Sequence, residues 1–274
     1  MDLCILGSGN VATHLVEALS KFDEAHIVAI YSREYAHAKV LADKVPGAAC
    51  IDKLEDLPNA EVYLFALKDS VLADVFSQVK QLGKGLPNSV WIHTAGSIPL
   101  SVFGDVKYKA VLYPLQTFSK TRKLDFQEIP VFVEADSPHA SKVVCSIANL
   151  ISKKVFSLDS EKRKYLHLSA VFANNFVNHC FALAYKLLDN KGIEPQSLFP
   201  LIDETVKKLN GLSPIEAQTG PAVRWDENVI EKQKALLSEM PELQEVYETM
   251  TQSIHRLQIE KKAQNNSVKT SCKS

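Results

Sequence analysis

No two cysteines of this chain are spaced as CxxC, and the five it has (Cys4, Cys50, Cys145, Cys180, Cys272) are scattered and odd in number. That argues against a disulfide framework and against a zinc knuckle. Cys4 and Cys145 lie in apolar stretches, where a free thiol behaves as a small core hydrophobe. Excess charge is missing as well. With 31 basic and 32 acidic side chains the net charge is −1, so nothing draws the chain to nucleic acid or to an anionic membrane. No apolar run approaches the roughly 18 residues that span a bilayer. The first residues also lack the basic-then-apolar order of a signal peptide, so the cytosol is the expected compartment. Glycine is scarce: ten in 274 residues, of which Gly7 and Gly9 fall within the first ten positions.

What is present is an alternation. Short β-branched, apolar runs at Leu3–Leu6, His26–Tyr31, Val62–Leu67, Val90–His93, Lys109–Tyr113, Val131–Glu134 and Val155–Leu158 alternate with helical spacing, as at Val11–Phe22 and Tyr35–Lys44. Strands alternating with helices predict an α/β domain, a Rossmann-type doubly wound parallel sheet with both faces covered. Ser137-Pro138 reads as an N-cap followed by proline at the first helical position, opening a helix to about Ser152. After residue 159 the texture becomes helical. Asp159-Ser160 is a helix start, and Leu166–Leu188 has neither glycine nor proline and is apolar nearly all round, the mark of a helix buried in a bundle or dimer seam. Further helical patterns lie at Gln196–Leu209, Glu227–Ser238 and Leu243–Lys262. The expected domains are therefore 1–159, an all-helical 160–262 and a polar tail, 263–274.

Gly7-Ser8-Gly9-Asn10-Val11-Ala12 follows a predicted strand and opens a helix, matching G-x-G-x-x-A. The first glycine permits the tight turn, and the second lets backbone approach a pyrophosphate. The small third residue lets the helix pack on the strand, while the helix N-terminus holds the phosphates. Gly7, Ser8, Gly9, Asn10 and Val11 are thus candidate dinucleotide contacts. The second strand ends Tyr31-Ser32-Arg33, where an NAD site generally carries a carboxylate. A hydroxyl and a guanidinium suit a 2′-phosphate instead, so Ser32 and Arg33 favour NADP over NAD. A solvated helix-start arginine is the alternative.

Ligands of open parallel sheets bind beyond the carboxyl ends of the strands. Ala66, Leu67 and Asp69 after the third of these strands, and Thr94 and Gly96 after the next, are accordingly placed beside the cofactor, with Tyr113–Phe118 in a similar position. His93 titrates near neutrality and is a candidate proton donor, or else a strand-end histidine held by hydrogen bonds. In the helical half, His167, Asn174, Asn175, Asn178 and His179 interrupt the apolar pattern. At 100° per residue His167 and Asn174 share one face, and Asn175 and His179 another. Such amides need partners, so they mark a polar pocket or a seam. No carboxylate accompanies the histidines at ligand spacing, so no metal is expected. Thr219–Asp226 is a second loop of chemical interest, with Arg224 either holding an anionic substrate or bracing the loop in an ion pair.

Taken together, Gly-Ser-Gly-Asn-Val-Ala, His93–Ser97, Tyr113–Phe118, Ala170–Asn175 and Thr219–Asp226 resemble a family of Rossmann-like NAD(P)-binding oxidoreductases with a carboxy-terminal helical domain of unknown function. That family is similar to deazaflavin-dependent NADP oxidoreductases. It stands near pyrroline-carboxylate reductase, ketopantoate reductase, and the β-hydroxyacid and 6-phosphogluconate dehydrogenases. The resemblance implies a helical dimerisation domain like that of 6-phosphogluconate dehydrogenase, a homodimer, and an active site in the cleft between domains. One departure is plain. The β-hydroxyacid dehydrogenases carry a lysine one turn before an asparagine of the long helix, whereas Ala170 and Val171 stand there here.

The expectation is an NADP-dependent reductase of a small anionic carbonyl or imine compound. His93, Asn174 and Asn175 would carry the chemistry, and Arg224, His167 and Gln116 would contact substrate. A nucleotide-binding sensor or scaffold without turnover is the alternative that the missing lysine favours.

Overall fold

The structure, a computed structural model, describes residues 1–271, with side chains to residue 264; Cys272 and the last positions of the expected polar tail lie outside the described residues. Eight strands form one sheet: β1 (Asp2–Leu6), β2 (His26–Tyr31), β3 (Ala49–Ile51), β4 (Val62–Phe65), β5 (Val90–His93), β6 (Lys109–Pro114), β7 (Val131–Ala135) and β8 (Val155–Ser157). Their order is β3-β2-β1-β4-β5-β6-β7-β8, so the direction of winding reverses between β1 and β4. β3 has only three residues and is not apparent in the sequence pattern.

The sheet is parallel from β3 to β6, as expected of a doubly wound sheet, and β7 runs antiparallel to β6. The physical reason lies in the connection. A parallel return needs a crossover, usually a helix, and between β6 and β7 the chain forms only a 3₁₀ turn at Phe126–Glu128. β7 and β8 are joined by a true helical crossover and are parallel to each other.

Helices α1 (Asn10–Leu19), α2 (Tyr35–Ala42), α3 (Asp69–Gln81) and α4 (Pro138–Ile151) accompany the strands. Ser137 caps α4, its hydroxyl accepting from the Ala140 amide at 3.2 Å, with Pro138 in the first turn. Alternation along β1 splits the core between two faces of the sheet. Leu3 and Ile5 pack with Leu15 of α1 and Ile147 of α4, whereas Cys4 and Leu6 pack with Leu72 and Phe76 of α3. Burial pushes the Cys4 thiol up to about 12, so it is an inert core group.

Beyond β8 come α5 (Ser160–Ala170), a π turn (Val171–Phe176), α6 (Val177–Asp189), α7 (Phe199–Lys207), α8 (Pro214–Ala217), α9 (Pro221–Arg224), α10 (Glu227–Leu236) and α11 (Pro241–Ser271). Asp159 caps α5 by accepting from the Lys162 amide at 2.8 Å. The chain divides into two compact units, Met1–Val177 and a second beginning at Asn178. The loss of strands after residue 159 therefore does not coincide with the end of the first unit, which also holds α5 and the π turn.

Leu168, Phe172, Phe176 and Val177 of the 166–188 stretch are exposed in the single chain. Residues 263–271, expected as a polar tail, continue α11. Among the described residues, no helix is long and apolar enough to cross a membrane.

Candidate active site

The glycine turn stands where the winding reverses. Gly7 has φ +125°, and its amide donates to the Tyr31 carbonyl at 2.8 Å. A Cβ there would run into the Ala66 carbonyl, so only glycine lets the β1 and β4 loops meet. Gly9 caps α1, and a Cβ on it would meet nothing within 4 Å; the first turn of α1 has no side-chain cap. Free first-turn amides facing open space fit a pyrophosphate. Ala12 is fully buried against the sheet and Val11 packs at its margin.

The neighbouring loops are more self-occupied than their residue types suggest. Ser8 and Ser32 share a hydrogen bond at 2.9 Å, which ties the turn to the end of β2. Arg33 is exposed and, among the described residues, has no ion-pair partner, while the Glu34 carboxylate turns to His37 at 3.5 Å. Asn10 is exposed, and its side-chain amide donates to the Phe118 carbonyl at 2.8 Å. Ala66 is buried and Leu67 half-buried. Asp69, at the start of α3 rather than in a loop, holds the Ser97 hydroxyl. Thr94 is buried with its amide on the Phe65 carbonyl.

The ends of β6, α5 and the π turn line an open cavity of about 400 Å³, a volume suited to a small molecule. Tyr113 and His167 stand on its wall with phenolic oxygen and Nδ1 3.0 Å apart. Burial pushes the Tyr113 phenol up to about 12, with the charge of Arg163 working against it, so the phenol keeps its proton at neutral pH. Gly96 is packed beneath the pair. A Cβ there would sit 2.6 Å from His167 Nδ1 and 2.9 Å from Tyr113 Cε2. The glycine thus clears room for two rings, whereas the sequence assigned it to the cofactor.

Gln116, Asn174 and Asn175 line the same cavity. Regular helical spacing puts the two asparagines on different faces. Both nevertheless line the cavity, within a π turn whose bonds run i→i+5.

His93 is not available as a proton donor, which corrects the assignment made from the sequence. It is wholly buried against Phe103, and its Nδ1 accepts from the Ala95 amide at 3.2 Å. Burial, reinforced by Arg163, pushes it down to about 3, so it is neutral at any physiological pH. The linkage has a definite sign. Below 6.5 the unfolded chain takes up a proton on this group and the folded protein does not, so stability falls on acidification from about 6.5 toward 3. Between pH 7 and pH 5 urea unfolding should show a loss of about 2 kcal/mol from this residue. His93→Asn, which retains an acceptor for the Ala95 amide, should show a correspondingly smaller loss; equal losses would count against the assignment.

Arg163 carries no signal in the glycine and histidine motifs, yet it anchors this wall. It is 1% exposed. Its Nη1 pairs with the Glu134 carboxylate, and its Nη2 donates to the Ile98 carbonyl at 2.7 Å. Ser160 joins in, donating to Glu134 at 2.7 Å and accepting from the Leu100 amide at 3.0 Å. The network fixes α5 one turn before His167. A cation near the start of a helix, where the dipole favours acids, is the one sequence signal that could have found it.

Arg224 belongs to the second unit. It is exposed at the end of α9 and has no ion-pair partner among the described residues, so it does not brace its loop in the way one sequence alternative held. Among the described residues no group of three or more potential metal ligands is assembled.

Comparison with known proteins accords with this geometry. Residues 2–87 match the family model "NADP oxidoreductase coenzyme F420-dependent", and residues 129–254 match a domain of unknown function, DUF2520. A "putative NADP oxidoreductase" from Bacteroides fragilis is 43% identical, covering 93% of this chain and 98% of its own, with a TM-score of 0.87. The chain belongs to this NADP oxidoreductase family. Two distant structures share the fold of these oxidoreductases. One is a pyrroline-5-carboxylate reductase from Coxiella burnetii, 13% identical over 92% of this chain and 97% of its own, with a TM-score of 0.55. The other is a reductive aminase from Aspergillus terreus in complex with NADPH and ethyl-5-oxohexanoate, 14% identical over 93% of each chain, with a TM-score of 0.66. The curated proteins offer no match.

Proposed function

We propose that this oxidoreductase is an NADP-dependent reductase of a small carbonyl or imine compound, bound in the cavity that Tyr113 and His167 line. The observation that carries the proposal is the 3.0 Å contact between those two side chains, together with a glycine turn whose open face suits a dinucleotide. When bound, NADPH supplies the hydride. Tyr113 and His167 hold a proton between the phenolic oxygen and Nδ1 and give it to the substrate atom that gains negative charge. Asn174, Asn175 and Gln116 orient the substrate through their carboxamides.

Preference for NADP over NAD rests on Arg33, whose guanidinium is exposed and has no ion-pair partner among the described residues. Fluorescence titration should give NADPH an affinity at least about tenfold above NADH, and Arg33→Ala should cost NADPH about 1.4 kcal/mol while leaving NADH unchanged. Equal loss for both dinucleotides would remove the 2′-phosphate role. Absence of binding by either would overturn the reductase proposal, and binding with no turnover across carbonyl and imine compounds would leave a nucleotide sensor in its place. A second copy of the chain is the proposed cover for the exposed Leu168, Phe172 and Phe176, and the cytosol, which suits its free cysteines, is the proposed compartment.

A further inference from the structure

The segment after β6 is tied to the start of α1 at two points. Asn10 donates to the Phe118 carbonyl at 2.8 Å, and His14 Nε2 lies 3.0 Å from the Ser119 carbonyl. A carbonyl only accepts, so Nε2 carries the proton. Positions 10 and 14 are one helical turn apart and share a face. The ring of Phe118 completes the attachment, 5.0 Å from that of His14 and 6.0 Å from that of Phe126. His14 is 95% buried, since only 5% of it is exposed, so its bond to the strap is made away from competing water. Immediately before these anchors, Leu115, Gln116 and Thr117 form part of the cavity wall. Immediately after them, Ser119–Lys123 is exposed, and Lys120, Arg122 and Lys123 have no ion-pair partners among the described residues.

We infer that Asn10 and His14 are positioning residues: they make the cavity wall at Leu115–Thr117 follow the glycine turn, so that a dinucleotide on that turn steadies the strap Phe118–Lys123. The inference rests on the placement of the dinucleotide proposed above. Asn10 therefore serves the cofactor through the strap and not through a contact of its own. Lys120, Arg122 and Lys123 supply a readout that needs no substrate, because each is a trypsin site.

Limited trypsinolysis of the full chain, with the cut located by mass spectrometry, tests the two halves separately. Without nucleotide, His14→Leu and the Asn10→Ala/His14→Leu double variant should be cut within 120–123 at least about tenfold faster than wild type. His14→Gln, whose amide can still donate to Ser119, should restore most of the protection, which a loss of packing alone would not allow. Unchanged cleavage in the double variant, or no rescue by glutamine, would overturn the anchoring. With saturating NADPH, wild-type cleavage there should slow at least fivefold, and His14→Leu should lose that protection while still binding NADPH by fluorescence. If wild type binds NADPH and its strap is cut no more slowly, the coupling is wrong. If wild type binds no NADPH, the dinucleotide proposal has failed, and the cleavage without nucleotide still decides the anchoring.

Discussion

Gly96→Ala is expected to lower kcat/KM for carbonyl or imine reduction by about a hundredfold or more, with NADPH affinity unchanged. The added methyl would lie 2.6 Å from His167 Nδ1, 2.8 Å from its Cγ and 2.9 Å from Tyr113 Cε2. All three distances are well inside van der Waals contact, and the first is to the atom that bonds the Tyr113 hydroxyl. Relief requires one ring or both to move, and the hydrogen bond between them does not survive a displacement of that size. Overpacking of this kind costs about 1–3 kcal/mol of stability, which leaves the protein folded and the kinetic effect measurable. Tyr113→Phe is the companion, because it removes the proton and keeps the ring; a loss of about 10²–10⁴ in kcat is expected if the phenol is the acid. Since the phenol is held up near 12, the rate should show no deprotonation of this group below about pH 10. Full activity in both variants would show that the proton comes from elsewhere.

The same pair illustrates what a linear sequence conceals. The glycine turn was legible because each demand on it is local: a positive φ at Gly7, an open face at Gly9 and a small residue at Ala12. Caps at Ser137 and Asp159 were legible for the same reason. The role of Gly96 was not, because it depends on rings from β6 and α5 that reach it across the top of the sheet. His93 was misassigned since its residue type signals titration near neutrality, while three-dimensional burial and the charge of Arg163 remove that titration. The short β3 carries too few residues to establish a pattern, and the reversal at β7 follows from the absence of a crossover helix. Asn174 and Asn175 stand in a π turn, a departure that no fixed angle per residue anticipates. The strap shows a related limit: Asn10 lies in a nucleotide-binding motif, but its side chain is committed to a segment more than a hundred residues away.

Arg163→Ala should produce the largest loss of stability of any single change considered, about 3–5 kcal/mol in urea unfolding. The guanidinium is 1% exposed and its partner Glu134 has a side chain 17% exposed, so truncation leaves a largely buried carboxylate without its cation and the Ile98 carbonyl without its donor. Ser160 still donates to Glu134, which softens the loss but cannot balance a charge. The net worth of the pair is a separate quantity. Arg163→Met combined with Glu134→Leu replaces both charges by apolar groups of similar size, and such exchanges are often neutral or stabilising by 1–4 kcal/mol. The double variant should therefore recover most of the stability lost by Arg163→Ala. It should not recover the full rate of reduction. Arg163 also holds the Ile98 carbonyl, and with it the loop from Gly96 on which His167 rests; a methionine has no donor for that oxygen. Removing Arg163 also removes a charge that helps keep His93 neutral, which brings its folded value nearer 6.5, so the acid loss that His93 contributes should shrink in the double variant. Recovery of stability together with full activity would reduce Arg163 to a means of folding; recovery of stability alone identifies it as the residue that sets the height of α5, and so of His167, over Tyr113.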